Sequence, residues 1–458
     1  MRSKYKSLGL LLIAGLLVRF WAMRWPPFLI DMNDWIAWGE RVLAVGPRHF
    51  YSETVFSDYT PGYIYVMWLT AWIKQTFFAT ASVETYYFLY RLPSILFDLG
   101  TTTLIYITVE QALEKRFAQP GGPTKKRKKE KQNQSQARDY GPLVPLLAAA
   151  CFLFNPAVIF NSATWGQLDA SFTFLLFLSL FLLLRERPEF AIIAYMLAFI
   201  VKPQSISLAP LIAVVLLTRY RPLEWAKFSA IGIVVTFIVL FPFFGISAFP
   251  RLFALLSKSV ETYPYATLYM YNVWSLFYNF WVSDTTPFIL GISARRVGIL
   301  LYLAGIVAGV VLLVRQLLRT SDQKTTLFFF ATYFTFLPVM VLTRMHERYI
   351  YPMLPFLLTF AFLYQIQRQT QRKWKLGAYF LNTPFVVYLI VTVLHAMAIY
   401  YVYLYYNHLL NKTSVDQSNI LFYLIEGHVQ VWSVIMLTTF LIVTLNVLKW
   451  SSLKKAPG

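Results

Sequence analysis

The residues best able to do chemistry fall in three stretches. Asp31 to Gly62, DMNDWIAWGERVLAVGPRHFYSETVFSDYTPG, carries Asp31, Asp34 and Asp58 among Trp35, Trp38, Phe50, Tyr51 and Tyr59. A carboxylate just past a helix exit can activate a hydroxyl as general base, and flat aromatic faces suit a sugar ring or a membrane surface. RMHERY, 344 to 349, supplies Arg344, His346, Glu347 and Arg348, and Lys202 stands beside Pro203 at a break between apolar runs. Fixed cations and N–H donors of this kind can neutralise a departing phosphate where water is scarce. FNSATWGQLDA, 160 to 170, adds Trp165, Gln167 and Asp169, a stacking face and two hydroxyl-binding groups. Each has a plainer reading: a solvated loop aspartate, a cation at lipid headgroups, a helix cap. Their convergence favours a binding or reaction site.

The elements that must position them are membrane helices. Of the 458 residues 58% are hydrophobic and only 14% charged, against about a quarter charged in soluble domains. Mean hydropathy is +0.54. Apolar runs long enough for about 30 Å of hydrocarbon recur along the chain, and none alternates like a barrel strand. The net charge of +20 is concentrated between apolar runs, at Lys125 to Lys131 (KKRKKEK), Arg219 to Arg221, Arg368 to Lys375 and Lys449 to Lys455. Cytoplasmic loops of membrane proteins carry such clusters, so nucleic acid is excluded as a partner. The single Cys151 allows no intramolecular disulfide, and no Cys/His spacing suggests a metal site.

Positive charge also sets the topology. The basic start and the apolar run from about Ser7 to Trp25 read as a retained signal anchor with Lys4 and Lys6 inside. If the run 62–80 crossed the membrane, KKRKKEK would emerge outside. It is therefore expected to lie in the outer interface, giving residues 26–90 the form of an extracytoplasmic loop with interfacial helices. Together with the first, the remaining runs give about twelve transmembrane spans, two of them short (189–201 and 205–218). Both termini fall in the cytoplasm, 113–140 forms a basic, disordered cytoplasmic loop, and 246–295 a long extracytoplasmic one. Two charges lie deeper: Arg19 and Asp98 both sit about 10 Å below the outer surface and are expected to pair.

With these motifs the chain resembles the GT-C superfamily of membrane glycosyltransferases, which use a polyprenyl-phosphate sugar. Asp31, Trp35, Trp38 and DYTPGYIY (58 to 65) look like that family's first outer loop. His346, Glu347 and Arg348 look like its late outer-loop histidine with a following acid and base. The chain is similar both to bacterial mannosyltransferase-like proteins related to the second GPI mannosyltransferase and to the glucosyltransferases that use dolichyl-phosphate glucose. The latter carry Asp-Tyr-Pro-Pro where Thr60 stands here. WGQLD also resembles the bacterial branch.

The resemblance implies an all-α, polytopic GT-C fold forming one domain over 1–458, and an inverting hexosyltransferase. Asp31, or else Asp34, would be the catalytic base. Lys202, Arg344, His346 and Arg348 would hold the donor phosphate, and Asp58, Tyr59, Trp165, Gln167, Asp169 and Glu347 the sugar and acceptor. The implied partners are a polyprenyl-phosphate mannose or glucose, a lipid-linked glycan or other hydroxyl acceptor, and membrane lipids. No cofactor is implied, and the Asp31 to Asp34 spacing does not call for a divalent metal. A lipid-linked sugar transporter or flippase is the alternative, and it would place coupling charges near the midplane of internal repeats. Lack of disulfides and retention signals points to a bacterial plasma membrane, with the site facing outward.

Overall fold

The computed structural model describes residues 2–118, 143–320, 322–368 and 376–451. The chain is an all-α polytopic membrane protein. The only strands among the described residues, Pro287–Ile289 and Ile292–Ser293, form a small antiparallel hairpin. Lipid-exposed backbone must satisfy its own hydrogen bonds, which the helices do.

Eight helices among the described residues are long and apolar enough to cross a membrane. A ninth appears if Leu143–Leu153 and Pro156–Trp165, bent by 49°, count as one span. The expected twelve are not reached. Asp169–Leu183, Pro188–Val201 and Pro203–Arg219 each have fewer than 18 residues, and at 1.5 Å per residue a 15-residue helix covers about 22 Å, short of about 30 Å of hydrocarbon. Their apolar composition reflects protein neighbours as much as lipid: Leu176, Phe177, Leu180 and Ala198 are wholly buried. The expected loop at 113–140 begins as helix, since Val83–Ala118 runs into it. Residues 119–142, with KKRKKEK, lie outside the described residues, as do 369–375 and 452–458 of the other basic clusters.

Three features of the local sequence set the frame. Residues 26–90 hold two helices, Leu29–Val45 and Pro61–Phe77, before the long Val83–Ala118 helix. Pro61 opens its helix at the first turn, where its missing N–H costs nothing. Gly62 follows because a Cβ there would stand 2.5 Å from the Ile200 carbonyl oxygen, so the helix start packs directly on the end of Pro188–Val201. Thr60 tightens the same contact, donating to the Val201 carbonyl at 3.3 Å.

Arg19 and Asp98 pair as expected, at 3.1 Å and fully buried. Arg19 also donates to the Leu153 carbonyl at 2.8 Å, and the Tyr351 hydroxyl donates to Asp98. One polar tie thus joins the first helix to three others inside an apolar interior.

Candidate functional site

The spacing of Leu29–Val45 puts Asp31, Asp34, Trp35 and Trp38 at i, i+3, i+4 and i+7, one face of a helix. That face forms one wall of a cavity of about 610 Å³. Eight of the twelve candidate residues line it: Asp31, Asp34, Asp58, Tyr59, Lys202, Arg344, His346 and Arg348. The other four stand one bond behind. Trp165 Nε1 and Gln167 Nε2 both donate to Asp31 Oδ2, at 2.9 and 2.5 Å. Asp169 takes the Lys202 ammonium, and Glu347 accepts from Arg348 Nη1 at 3.2 Å.

The turn that brings Trp165 and Gln167 to Asp31 has local causes. Asn155 caps the helix at Pro156, accepting from the Ala157 and Val158 amides. The chain then widens into a π-turn over Phe160–Trp165 and is stopped by Gly166 at φ 92°. A side chain at 166 would be strained by that left-handed backbone and would meet Arg91 and Met32 at 2.9 Å.

Three carboxylates, Asp31, Asp34 and Asp58, crowd the acidic wall, and among the described residues no ion pair joins any of them to a cation. Burial pushes Asp34 up to about 6, helped by the charges of Asp31 and Asp58. Burial likewise raises Asp58; Asp31 adds to the rise, and Arg348 and Lys202 oppose it. On the other wall burial holds His346 well below the usual imidazole range, and Arg348 and Lys202 push the same way. The ring is therefore neutral at physiological pH. Arg348 Nη1 lies 3.4 Å from its Nδ1, so Nδ1 accepts and the proton sits on Nε2.

Arg344 departs from expectation. Its guanidinium grips Asp284 through Nε at 2.7 Å and Nη2 at 3.2 Å, and Nη1 bonds the Val260 carbonyl and, at 3.1 Å, Glu261. Every nitrogen is engaged, so Arg344 ties the segment 260–284 to the bend before His346 rather than offering charge to a ligand. Sequence reasoning missed Asp284, which sits in a long irregular stretch with no periodicity to mark it. It also missed Gln204, a cavity residue whose amide nitrogen and oxygen are both buried with no partner.

The cavity is polar at one end only. Arg295, Ile299 and Tyr302 line it at i, i+4 and i+7 of the Ala294–Arg319 helix, and Thr335, Pro338, Val339 and Leu342 do so along the Gln323–Val341 helix and its end. From Arg295 to Tyr302 the lining descends about 10 Å into the bundle and loses its charge. Ile206 and Ile299, also lining residues, are 57% and 42% exposed on the apolar outside, so the cavity opens sideways between helices.

Fold and site together define a polytopic membrane protein with a charged, laterally open cavity at one end of its helices. Residues 49–292, just over half of the chain, match the model of the family described as PIG-U, GPI transamidase subunit, and the chain belongs to that family. No curated protein matches it. The matched segment supplies Asp58, Tyr59, Trp165, Gln167, Asp169, Lys202 and Asp284 to the site, while Asp31, Asp34 and the 344–348 cluster lie outside it.

The family corrects the functional expectation. It is that of a transamidase subunit, so the hexosyltransferase activity, the flippase alternative and the polyprenyl-phosphate sugar donor are overturned. The implied mannosyltransferase kinship goes with them; membership in a membrane-protein family stays. The physical reason is that carboxylates facing cations around a lipid-accessible cavity look the same whether they break bonds or only hold a headgroup. Asp31 illustrates this, since one of its oxygens is already occupied by two N–H donors.

Proposed function

We propose that the chain is a membrane subunit of a GPI transamidase-type complex, and that its cavity holds the lipid anchor by its headgroup while a partner subunit makes the covalent bond. The observation that carries this is the cavity's polarity gradient. Its apolar flank reaches lipid at Ile206 and Ile299, and its closed end is charged. Such a slot receives an amphiphile entering from the bilayer, with acyl chains left in the apolar part. Arg348 and Lys202 supply positive charge for a phosphate, neutral His346 adds an N–H donor, and Tyr59 and Trp35 offer faces to a sugar.

A lipid-anchor transamidase belongs to the endoplasmic reticulum, so that membrane replaces the bacterial one. The cavity then faces the lumen and both termini the cytoplasm. The partners are the lipid anchor, membrane lipids and the other subunits.

The test is to deplete the chain from cells that carry it and follow transfer of lipid anchor to a reporter precursor. Transfer is expected to stop, to return with the wild-type chain, and to stay at least about tenfold lower with Arg348→Ala present at the same level. Undiminished transfer in depleted cells would sink the reading.

A further inference from the structure

The helical stretch Pro222–Glu261 has 40 residues, about 60 Å at 1.5 Å per residue and twice the thickness of the hydrocarbon. Its first part, Pro222–Phe244, has 23 residues and is long enough to cross alone. Gly245, at φ 60°, then interrupts it, and a Cβ there would stand 2.2 Å from the Arg48 guanidinium. The 14 residues of Ala248–Glu261 beyond that turn must therefore find a place outside the span.

Their side chains divide into three edges. At about 100° per residue, Phe249, Phe253 and Val260 fall within about 40° of one another. They are 40%, 73% and 55% exposed, and Ile246, just before the helix, is 88% exposed. Arg251 and Lys258, both exposed, fall together about 170° round from that apolar edge. Among the described residues neither cation joins an ion pair. Ala248 and Leu252, between the two edges on one side, are buried against the protein. A helix standing in water would not carry two exposed phenylalanines in register, and one inside hydrocarbon would not carry two unpaired cations opposite them.

We propose that Ala248–Glu261 is a membrane-binding surface, lying along the leaflet on the cavity's side with Phe249, Phe253 and Val260 among acyl chains and Arg251 and Lys258 on lipid phosphates. Lipid occupies the apolar edge because that edge continues the exposed row Val234, Ile238 and Phe241 of the preceding span. Cations opposite such an edge stand at the height of the phosphates. The helix is also part of the site. Leu256, Ser259 and Val260 line the cavity, so Val260 belongs to both the lining and the lipid edge. The Ser259 hydroxyl donates to the Asp58 carbonyl at 3.0 Å, and Glu261 pairs with Arg295 at 2.8 Å. The rim of the cavity is thereby held at headgroup depth.

The test places an environment-sensitive fluorophore on single cysteines in the full chain, with Cys151→Ala, in phosphatidylcholine nanodiscs. A label at Phe253→Cys is expected to be quenched by brominated lipid at least about twofold more than one at Arg251→Cys, with aqueous iodide giving the reverse order. Bromines near the headgroup are expected to quench the 253 label more than bromines near the chain end. Arg251→Glu with Lys258→Glu is expected to reduce the lipid quenching at 253 severalfold, and no reduction would overturn the phosphate contacts. Each variant is checked for an unchanged melting profile, and Phe249→Cys repeats the lipid-side measurement if Phe253→Cys melts early. Iodide quenching at 253 equal to that at 251 would put the helix in water. Protection of the 253 label from both quenchers would put protein over it, and stronger quenching by deep bromines would make it a span. Any of these three results would overturn the surface seat.

Discussion

Asp34 is the residue whose surroundings make the sharpest statement. Its carboxyl is half-buried and stands near Asp31 and Asp58, which together with burial raise it from 3.8 to about 6. Folding therefore favours the protonated form. The stability this contributes is complete below about pH 4 and is lost as pH rises through about 6, where the folded protein too must carry the charge. Asp34→Asn removes the penalty. The variant is expected to melt like the wild type near pH 4 and to be more stable by about 1 kcal/mol near pH 7.5, a figure discounted for the half of the group that water still screens. Thermal unfolding of both proteins at the two pH values checks this, and a wild type whose stability rises between them would refute it.

Among elements, the tie between the first helix and the Val83–Ala118 helix is the most exposed to test. Arg19 and Asp98 are both fully buried, and the pair also engages Tyr351 and the Leu153 carbonyl. Arg19→Met strands a carboxylate in an apolar interior and is expected to cost about 3–5 kcal/mol. Arg19→Met with Asp98→Asn is expected to recover most of that loss, because the amide oxygen still accepts from Tyr351 without a charge to bury. Melting of the single and double variants in detergent measures the difference. Equal losses in both would mean that the charge is not what Asp98 contributes. The bent element Leu143–Trp165 rests on different physics: Asn155 starts its second half, Gly166 ends it, and the π-turn between them delivers Trp165 and Gln167 to Asp31.

At the scale of the whole molecule, orientation is the property that the helices alone leave to experiment. In a lipid-anchor transamidase subunit oriented as proposed, the cavity lies in the lumen, opposite the termini. With the single Cys151 replaced by Ala, Thr54→Cys, exposed in the segment between the Leu29–Val45 and Pro61–Phe77 helices, is expected to react with a membrane-impermeant maleimide only when sealed vesicles are opened or inverted. Labelling from the cytoplasmic side of intact vesicles would reverse the topology.

Much of this molecule could be read from residues alone. Low charge and long apolar runs dictate membrane helices, because hydrocarbon tolerates no unpaired backbone. The depth of Arg19 and Asp98 along their helices was enough to pair them, since a lone charge there is too costly. The acids and rings of Asp31, Asp34, Trp35 and Trp38 were legible as a candidate cluster, but their shared face came only with the helix Leu29–Val45, which stands where a loop was expected. Three further things needed the tertiary structure. Arg344 looks like a free cation until Asp284, some sixty residues away, is seen to occupy it. Gln204 carries no pattern at all and matters only through the space it faces. The short runs between Asp169 and Arg219 look like spans because lipid and packed protein ask for the same apolar side chains, and only their lengths and neighbours tell the two apart. Periodicity reports which face of an element is apolar; what stands against that face is a long-range fact that no local spacing encodes.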